Sequence, residues 1–280
     1  MFEILEKQRL NPTVVRLSIQ ADWIARHAKA GQFLILRPKA DSERIPFTIF
    51  KADKKAGTVD FIYQIVGATT LILDSLKVGD TLCDAVGPLG KPTETTGYTK
   101  AIIVGGGVGC AIAYPVAKAM ADQSVDITTI TGFRSRDLVI LQKEFSALGR
   151  HTLCSDDGSC GIHGLVTDVL AKQIEQKDTG DLLVFCVGPL AMMRAVSNLT
   201  KTHGIKTLCS MNPLMIDGTG MCGCCRLSVN GRMRFACVDG PDFDGHQVDF
   251  DEAIARLRLY GYKERQDYEH ACKLLEVNHE

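Results

Sequence analysis

The sequence predicts an antiparallel β-barrel, then an α/β domain with a parallel sheet, and finally a cysteine-rich loop with a helical tail. Three features indicate this order. Short strand-like segments separated by turn residues fill positions 1–97, strands alternate with helices from position 98, and four cysteines gather at positions 222–237. We therefore expect a barrel domain at 1–97, an α/β domain at 98–208, a cysteine-rich region at 209–245 and an extension at 246–280.

The composition is that of a globular chain with more than one domain. Its 280 residues carry a formal net charge of −1, which excludes the basic face of a nucleic-acid-binding protein. We find neither a charged leader with an apolar core nor an apolar run of membrane-spanning length, so we expect a cytoplasmic protein with no nucleic-acid or membrane partner. The odd cysteine count, eleven, favours a reducing compartment. Cys83 and Cys186, which stand beside aliphatic residues, are predicted to be buried.

The barrel prediction rests on segments in which apolar and polar residues partly alternate, at 14–18, 33–37, 47–50 and 59–66. Glycine, proline, aspartate and lysine fill the gaps between them. Closing such strands into a barrel also removes exposed sheet edges.

One strand of the barrel carries a chemically suggestive run, in which Arg44, Pro46, Phe47 and Thr48 stand close together. The arginine could pair in a bidentate way with a pyrophosphate, and the Thr48 hydroxyl could reach the edge of an isoalloxazine ring. The alternative is an arginine exposed on an edge strand.

A second run, at 67–76, indicates a helix that begins with Gly67, Thr69 and Thr70. Such a helix start offers amides and hydroxyls to a phosphate, although simple helix capping explains the same residues. Taken with the first run and a Gly-Pro-Leu-Gly turn at 87–90, it predicts an FAD site on the barrel.

The α/β prediction begins with an apolar strand that runs into four glycines, Gly105, Gly106, Gly107 and Gly109, followed by a helix at 111–120. Glycines in a strand-turn-helix unit allow the close approach of a dinucleotide, although this spacing is not a strict G-x-G-x-x-G. Further strands are predicted at 125–134, 151–155 and 182–187. The last of these leads into a turn and helix that contain three more candidate NAD(H)-binding residues, Gly188, Pro189 and Met192.

Asp156 and Asp157 directly follow the strand predicted at 151–155. Carboxylates at this position favour ribose hydroxyls over a 2′-phosphate, so we expect NADH rather than NADPH. Arg134 and Arg136 argue for the opposite preference, and a solvated acidic turn is the structural alternative.

The cysteine-rich region reads as a 2Fe-2S site with four candidate ligands, Asp217, Cys222, Cys225 and Cys237. Their spacing is that of the plant-type ferredoxin pattern C-x4-C-x2-C…C, with aspartate in place of the first cysteine. The alternatives are a structural zinc site with three thiolates and a carboxylate, or buried thiols that bind no metal. Cys224 is the spare thiol, and exchange with a neighbouring ligand stays open.

The extension contains turn-forming residues and then two predicted helices, at 250–260 and 263–277. We expect it to lie across its own domain or to dock a partner subunit.

In this order, the motifs at 44–48, 67–70, 105–109, 156–161 and 186–193 resemble those of the ferredoxin-NADP reductase superfamily. The branch that ends in a 2Fe-2S loop is similar to dihydroorotate dehydrogenase electron-transfer subunits and to the small subunit of the NADH-dependent reduced ferredoxin:NADP oxidoreductases, which are electron-bifurcating transhydrogenases. Asp217 and the motif at 240–251 favour the second group.

The resemblance implies a relay in which NADH reduces FAD and the flavin passes single electrons to the 2Fe-2S cluster. It also implies a heterodimer with a larger subunit that carries 4Fe-4S clusters, a second FAD and an NADPH site and that reacts with ferredoxin. Two alternatives stay open, which are an electron-transfer subunit of dihydroorotate dehydrogenase or of a hydrogenase, and a zinc-stabilised regulatory protein. A further hypothesis is that Asp217, a harder ligand than thiolate, tunes the cluster potential and couples it to pH.

Overall fold

A computed structural model describes residues 2–175, 180–259 and 261–277, without the side chains of 270 and 273–277. Its strands are β1 (Phe2–Asn11), β2 (Val14–Gln20), β3 (Phe33–Arg37), β4 (Ile45–Asp53), β5 (Thr58–Gln64), β6 (Thr81–Leu82), β7 (Asp84–Leu89), β8 (Lys100–Gly106), β9 (Asp126–Phe133), β10 (Arg150–Ser155), β11 (Ile162–His163), β12 (Leu182–Val187), β13 (Lys206–Ser210), β14 (Arg226–Val229), β15 (Arg232–Phe235) and β16 (Asp242–Asp244). The helices are α1 (Asp22–His27), α2 (Ala68–Ser75), α3 (Cys110–Ala121), α4 (Gln142–Ala147), α5 (Val166–Glu175), α6 (Leu190–Thr202), α7 (Ala236–Asp239), α8 (Phe250–Leu257) and α9 (Gly261–Val277).

The first sheet is an antiparallel, nearly closed barrel with strand order β6-β1-β2-β5-β4-β3-β7. Its interior is filled by side chains without solvent exposure, such as Leu17, Leu34 and Phe61. The barrel predicted from the sequence is confirmed. Strands β1, β6 and β7 were not predicted, and of these β6 is only two residues long.

The second sheet is parallel, as predicted, with strand order β11-β10-β9-β8-β12-β13, and β16 is added antiparallel at one edge. Strands β11, β13 and β16 were not predicted. Neighbouring residues of β8 serve opposite faces, since Ile102 and Val104 join one core cluster while Ala101 and Ile103 join the other. Helices cover both faces, as expected for buried apolar strands.

The cysteine-rich region lies between the barrel and the α/β domain. Its hairpin β14–β15 and helix α7 follow an irregular loop, and its apolar residues join the same core cluster as one face of β3. Phe33 and Ile35 of β3, for example, share this cluster with Met215 and Leu227. The region is therefore part of a continuous core that links both domains.

The extension lies on the chain itself. Helix α8 packs against α6 and β14, and α9 packs against α2 of the barrel. The predicted first helix, 250–260, ends at Leu257, and Tyr260 lies outside the described residues. No helix in the described ranges combines the length and the apolar character that a membrane span requires.

One prediction about the isolated cysteines is wrong. Cys186 is buried on β12, as predicted, but Cys83 is exposed. Cys83 stands between β6 and β7, where the chain bends at the surface, and aliphatic neighbours in sequence do not bury a residue at a bend.

Candidate functional site

Pro46 and Thr48 face outward from the barrel. Residues that pair across antiparallel strands point to the same side, and Pro46 pairs with Ile35 while Thr48 pairs with Phe33. Ile35 and Phe33 belong to the core cluster outside the barrel. The two candidate flavin residues therefore look toward the α/β domain and the cysteine-rich region.

The side chain of Phe47 lies on the opposite side of β4. Its ring centroid is 5.1 Å from that of Phe61 and 5.7 Å from that of Tyr63, and both partners are buried inside the barrel. Phe47 thus supports the strand from within, while Pro46 and Thr48 present its outer face.

Arg44 shares a carboxylate with a second arginine. Its guanidinium lies 3.4 Å from Asp84, and Arg37 lies 4.0 Å from the same side chain. The Nε atoms of both arginines and the hydroxyl of Ser42 are buried and have no hydrogen-bond partner among the described residues. Buried donors without acceptors are costly, and an anionic oxygen would satisfy them. This donor set fits the pyrophosphate of FAD.

The helix start predicted at Gly67 is observed, and its threonine hydroxyl is used locally. Thr70 Oγ1 accepts from the backbone N–H groups of Val66 and Gly67, both at 3.0 Å, and donates to the Gly67 carbonyl at 2.8 Å. Thr69 is buried beside it. The space where a Gly67 side chain would lie is open. A phosphate would therefore meet backbone amides here rather than the Thr70 hydroxyl.

A cleft of about 800 Å³ separates the barrel from the carboxyl ends of the parallel strands. Ligands of open α/β sheets bind in this position. The cleft is lined by most of the predicted dinucleotide residues, namely Gly106, Gly107, Gly109, Asp156, Gly188, Pro189 and Met192. Gly105 lies underneath, where a Cβ would come within 3.0 Å of Cys110 Sγ.

The glycines of the cleft are required by close packing of two strand ends. A Cβ on Gly106 would lie 2.4 Å from Met192 Sδ, and one on Gly109 would lie 2.7 Å from the Val187 carbonyl oxygen. Gly107 has φ +56°, which favours glycine. The two turns therefore form one narrow floor for the cleft.

The two neighbouring aspartates, Asp156 and Asp157, have different surroundings. Asp156 lines the cleft, whereas Asp157 accepts from the Ser159 N–H at 2.9 Å and from the Ser159 hydroxyl at 2.6 Å. These hydrogen bonds lower the pKa of the Asp157 carboxyl. Arg134 also lines the cleft, but Arg136 does not and instead donates its backbone N–H to Ser159. A carboxylate and a guanidinium thus both face the cleft, so the choice between NADH and NADPH stays a prediction.

Sequence reasoning missed the barrel side of the cleft. Asn11, Thr13 and Gln64 line it, together with Asn212 from the far end of the sheet. Asn11 Oδ1 accepts from the Thr13 N–H at 2.9 Å, and its Nδ2 donates to the Leu138 carbonyl at 3.1 Å. The Asn-Pro-Thr sequence signalled a turn, but only the fold brings that turn to the cleft.

The four candidate cluster ligands form an outer pair and an inner pair. Asp217 is partly buried and Cys222 is exposed, while Cys225 and Cys237 are buried. The two inner sulfur atoms are 3.2 Å apart, and burial raises the pKa of the Cys237 thiol. Among the described residues, no three histidine, cysteine, aspartate or glutamate side chains are grouped to hold a single metal ion.

Backbone amides orient the carboxylate of Asp217. One oxygen accepts from the Thr219 N–H at 2.9 Å and the other from the Cys222 N–H at 3.0 Å. These hydrogen bonds lower the pKa of the carboxyl, because they favour the anion. One carboxylate and three thiols, arranged as two pairs, are a donor set that fits a two-iron cluster.

The spare thiol lies on the outer side. Cys224 is partly buried, and its pKa is raised by burial and by a hydrogen bond with Cys222. It therefore lies beside the exposed ligand Cys222 and directly precedes the inner ligand Cys225.

The loop packs against the outer face of the barrel, on the side to which Pro46 and Thr48 point. A Cβ on Gly218 would lie 2.6 Å from Leu89 Cδ1 and 2.9 Å from Ile35 Cδ1. Ile35 is the residue that pairs with Pro46. Gly218, Gly220 and Gly223 all have left-handed φ values, between +70° and +84°, which permit this tight course.

Two family models match the chain. Residues 212–249 match the iron-sulfur cluster binding domain of dihydroorotate dehydrogenase B, and residues 103–198 match an oxidoreductase NAD-binding domain. The barrel and α/β domain also have the fold of the cytochrome b5 reductase domain of Ulva prolifera nitrate reductase, at 18% identity and a TM-score of 0.61 over 72% of this chain and 92% of that one. The two family models confirm the predicted iron–sulfur cluster and NAD(H), and together with the ferredoxin-NADP oxidoreductase structure described next they confirm the predicted FAD.

Three proteins are similar over most of their length. A homolog of the dihydroorotate dehydrogenase B electron transfer subunit from Thermotoga maritima is 40% identical over 97% of this chain and 95% of its own. The electron transfer subunit from Enterococcus faecalis is 32% identical over 89% of this chain and 97% of its own. A chain in the structure of an NADH-dependent reduced ferredoxin-NADP oxidoreductase is 38% identical, with a TM-score of 0.90 over 96% of this chain and 97% of that one.

Proposed function

Because the chain belongs to the family of dihydroorotate dehydrogenase B electron-transfer subunits and their homologues, we propose that it exchanges hydride between NAD(H) and FAD. In the same proposal it relays single electrons through a 2Fe-2S cluster to or from a larger subunit. The observation that carries this is the contact of Gly218 with Ile35, because it sets the cluster loop against the outer face of the strands that carry Thr48 and Pro46.

The chain's own residues would hold each group. The pair Arg44 and Arg37 would bind the FAD pyrophosphate through donors that are otherwise unpartnered, and Thr48 would offer its hydroxyl to the isoalloxazine edge. The glycine floor formed by Gly106, Gly107 and Gly188 would admit the nicotinamide dinucleotide into the cleft. Bound flavin supplies the conversion between hydride transfer and single-electron transfer.

The metal ligands in this proposal are Asp217, Cys222, Cys225 and Cys237. The inner thiols are shielded from water by the core they share with β3, whereas the outer ligands lie at the surface. Burial of the inner ligands keeps water away from the route between the barrel and the cluster. Exposure of the outer ligands brings the cluster close to a surface at which a partner can exchange electrons with it.

The exit side carries features of a docking surface for the larger subunit. Large apolar side chains in this region are exposed, including Met221 at 88% and Met233 at 63%. The hairpin β14–β15 also carries exposed arginines, namely Arg226, Arg232 and Arg234. Apolar and arginine side chains are enriched at interface centres. We propose that the larger subunit covers this face with a complementary acidic rim.

For the partner, we favour the larger subunit of a ferredoxin:NADP(+)/NAD(+) transhydrogenase, with its own FAD, 4Fe-4S clusters and NADPH site. Two observations support this choice over dihydroorotate dehydrogenase. The aspartate stands where the plant-type pattern has cysteine. A chain in the structure of an NADH-dependent reduced ferredoxin-NADP oxidoreductase is 38% identical with a TM-score of 0.90, whereas the dihydroorotate dehydrogenase subunit of E. faecalis is 32% identical.

Anaerobic purification from the native cell tests this proposal. We expect a stoichiometric larger iron–sulfur flavoprotein to co-purify, and the complex to reduce NADP+ with NADH and reduced ferredoxin together. Orotate-forming activity of the complex would instead assign the chain to dihydroorotate dehydrogenase, and hydrogen-dependent NAD+ reduction would assign it to a hydrogenase.

A further inference from the structure

An arginine outside the cysteine motif reaches the loop between two proposed cluster ligands. Arg256 of α8 donates through Nη2 to the carbonyl oxygen of Cys224 at 3.3 Å. Arg226 makes the corresponding contact one residue earlier, from Nη1 to the Gly223 carbonyl at 3.0 Å. Two consecutive carbonyls between Cys222 and Cys225 therefore each accept from a guanidinium.

Helix α8 is attached to the hairpin of the cysteine-rich region by hydrogen bonds at its start. Asp249 caps its start by accepting from the Glu252 N–H at 2.9 Å, and Glu252 in turn accepts from the Ser228 N–H of β14 at 3.0 Å. Phe250 is buried in the core. Arg256 lies four residues after Glu252 and thus on the same face of the helix. The face that hydrogen-bonds to the hairpin through Glu252 therefore also contacts the Cys222–Cys225 loop through Arg256.

The second anchor of α8 is the α/β domain. Asp251 pairs with Arg194 of α6 at 2.8 Å. The extension therefore connects the dinucleotide domain to the cluster loop through one short helix.

Peptide planarity gives the contact of Arg256 a chemical consequence. In a trans peptide the C=O and the following N–H point in opposite directions. Because the Cys224 carbonyl points toward the Arg256 guanidinium, the Cys225 N–H points away from it. In the same way, the Gly223 carbonyl points toward Arg226, so the Cys224 N–H points away from Arg226. Amide hydrogen bonds and positive charge near an iron–sulfur cluster stabilise its reduced, more negative form.

We propose that Arg256 is a positioning residue of the cluster, which fixes the Cys224–Cys225 peptide and raises the reduction potential of the 2Fe-2S centre. The inference rests on the proposed function, since it requires a cluster at this loop. It assigns to the extension a role in setting the driving force of electron transfer.

Redox titration of the purified holoprotein, followed by EPR, tests the proposal with Arg256→Gln. Arg258→Gln is the matched control, because Arg258 is exposed on the turn that follows the same helix. We expect Arg256→Gln to lower the potential so that the equilibrium constant for cluster reduction falls about tenfold, which is about 59 mV for a one-electron couple. Arg258→Gln should leave it within about twofold of the wild type.

Equal potentials for Arg256→Gln and Arg258→Gln, with iron content unchanged, would overturn the proposal. If Arg256→Gln does not retain iron, Arg256→Lys takes its place, because lysine keeps the charge but cannot reproduce the guanidinium geometry. A lowered potential in Arg256→Lys supports the proposal, and an unchanged one contradicts it. A wild-type protein with no 2Fe-2S signal would contradict the proposed function itself, which separates the two failures.

Discussion

The outer and inner halves of the cysteine-rich region differ in what surrounds them. Asp217 and Cys222 lie in a glycine-rich loop at the surface, where the carboxylate is held by backbone amides. Cys225 and Cys237 lie in the core cluster that also contains Ile35 of the barrel and Val184 of the parallel sheet. The inner ligands therefore also belong to the hydrophobic core shared by the barrel and the α/β domain, whereas the outer ligands lie outside this core.

One cofactor site can therefore combine buried ligands that also stabilise the fold with surface ligands that serve the cluster alone. Removing a buried group leaves a cavity or an unsatisfied polar atom in a shared core, while the same change at the surface is compensated by water. Substitutions in the inner half should thus change the free energy of unfolding. Substitutions in the outer half should change the cluster alone.

The largest effect is expected for Cys237→Ser. The hydroxyl would be buried where the thiol is 3.2 Å from Cys225 Sγ, and a buried hydroxyl without a good partner costs about 1–3 kcal/mol in addition to the lost ligand. Iron analysis should show a protein without cluster, and chemical unfolding should show reduced stability. Cys83→Ser is the control at an exposed site, and stability losses of equal size in both variants would contradict the comparison.

The second effect concerns Asp242, a partly buried residue of β16 whose carboxyl accepts a hydrogen bond from Thr93 and whose Oδ1 atom is buried without a hydrogen-bond partner among the described residues. Burial raises its pKa from 3.8 to about 6, so the folded protein keeps a proton that the unfolded chain releases as the pH rises through this window. Stability present below pH 4 should therefore fall between pH 4 and 6, by roughly 3 kcal/mol at most.

Asp242→Asn should remove that fall, because the amide does not titrate. Unfolding curves of both proteins at pH 4.5 and pH 8 measure it, and the variant should gain stability relative to the wild type at the higher pH. An equal difference between the proteins at both pH values would show that the buried carboxyl does not act in this way.

A smaller effect on stability is expected for Cys222→Ser in the outer half. Cys222 is exposed, so the unfolding free energy should change by less than about 0.5 kcal/mol. Because Cys224 hydrogen-bonds to Cys222, we expect it to replace the missing thiolate and to keep a more labile cluster. Iron content should fall to background only in Cys222→Ser/Cys224→Ser. Background iron already in the single variant would exclude the exchange.

The smallest structural effect is expected for Asp217→Cys. The variant keeps an anionic ligand at a partly buried position, so it should retain the cluster and its stability. A softer, more electron-donating thiolate should lower the midpoint potential. Potentiometric titration at several pH values checks this, and identical curves for variant and wild type would mean that Asp217 does not tune the cluster.

The parts of the fold that could be predicted from the sequence are those set by local patterns. The strand at 33–37 and the glycine turn at 105–109 follow from apolar runs that are ended by turn-forming residues. The two-residue strand β6 and the surface position of Cys83 could not be predicted, because they depend on pairing partners far along the chain.

The candidate site shows the same limit. The sequence spacing identified Asp217 and three cysteines as candidate ligands. It could not divide them into outer and inner pairs, because the burial of each ligand depends on how the loop packs on the barrel at Gly218. Nor could it place Asn11 in the cleft or Arg256 at the Cys224 carbonyl. These contacts join elements that are more than 30 residues apart, and no local pattern carries such information.

The most direct test of the account is EPR spectroscopy of the isolated chain, purified anaerobically with FAD and iron quantified, before and after reduction by NADH. We predict about one FAD and two irons per chain and a 2Fe-2S signal that appears when NADH is added. A flavin that is bleached by NADH without any cluster signal, or zinc in place of iron, would contradict the claim that this loop carries electrons from the flavin.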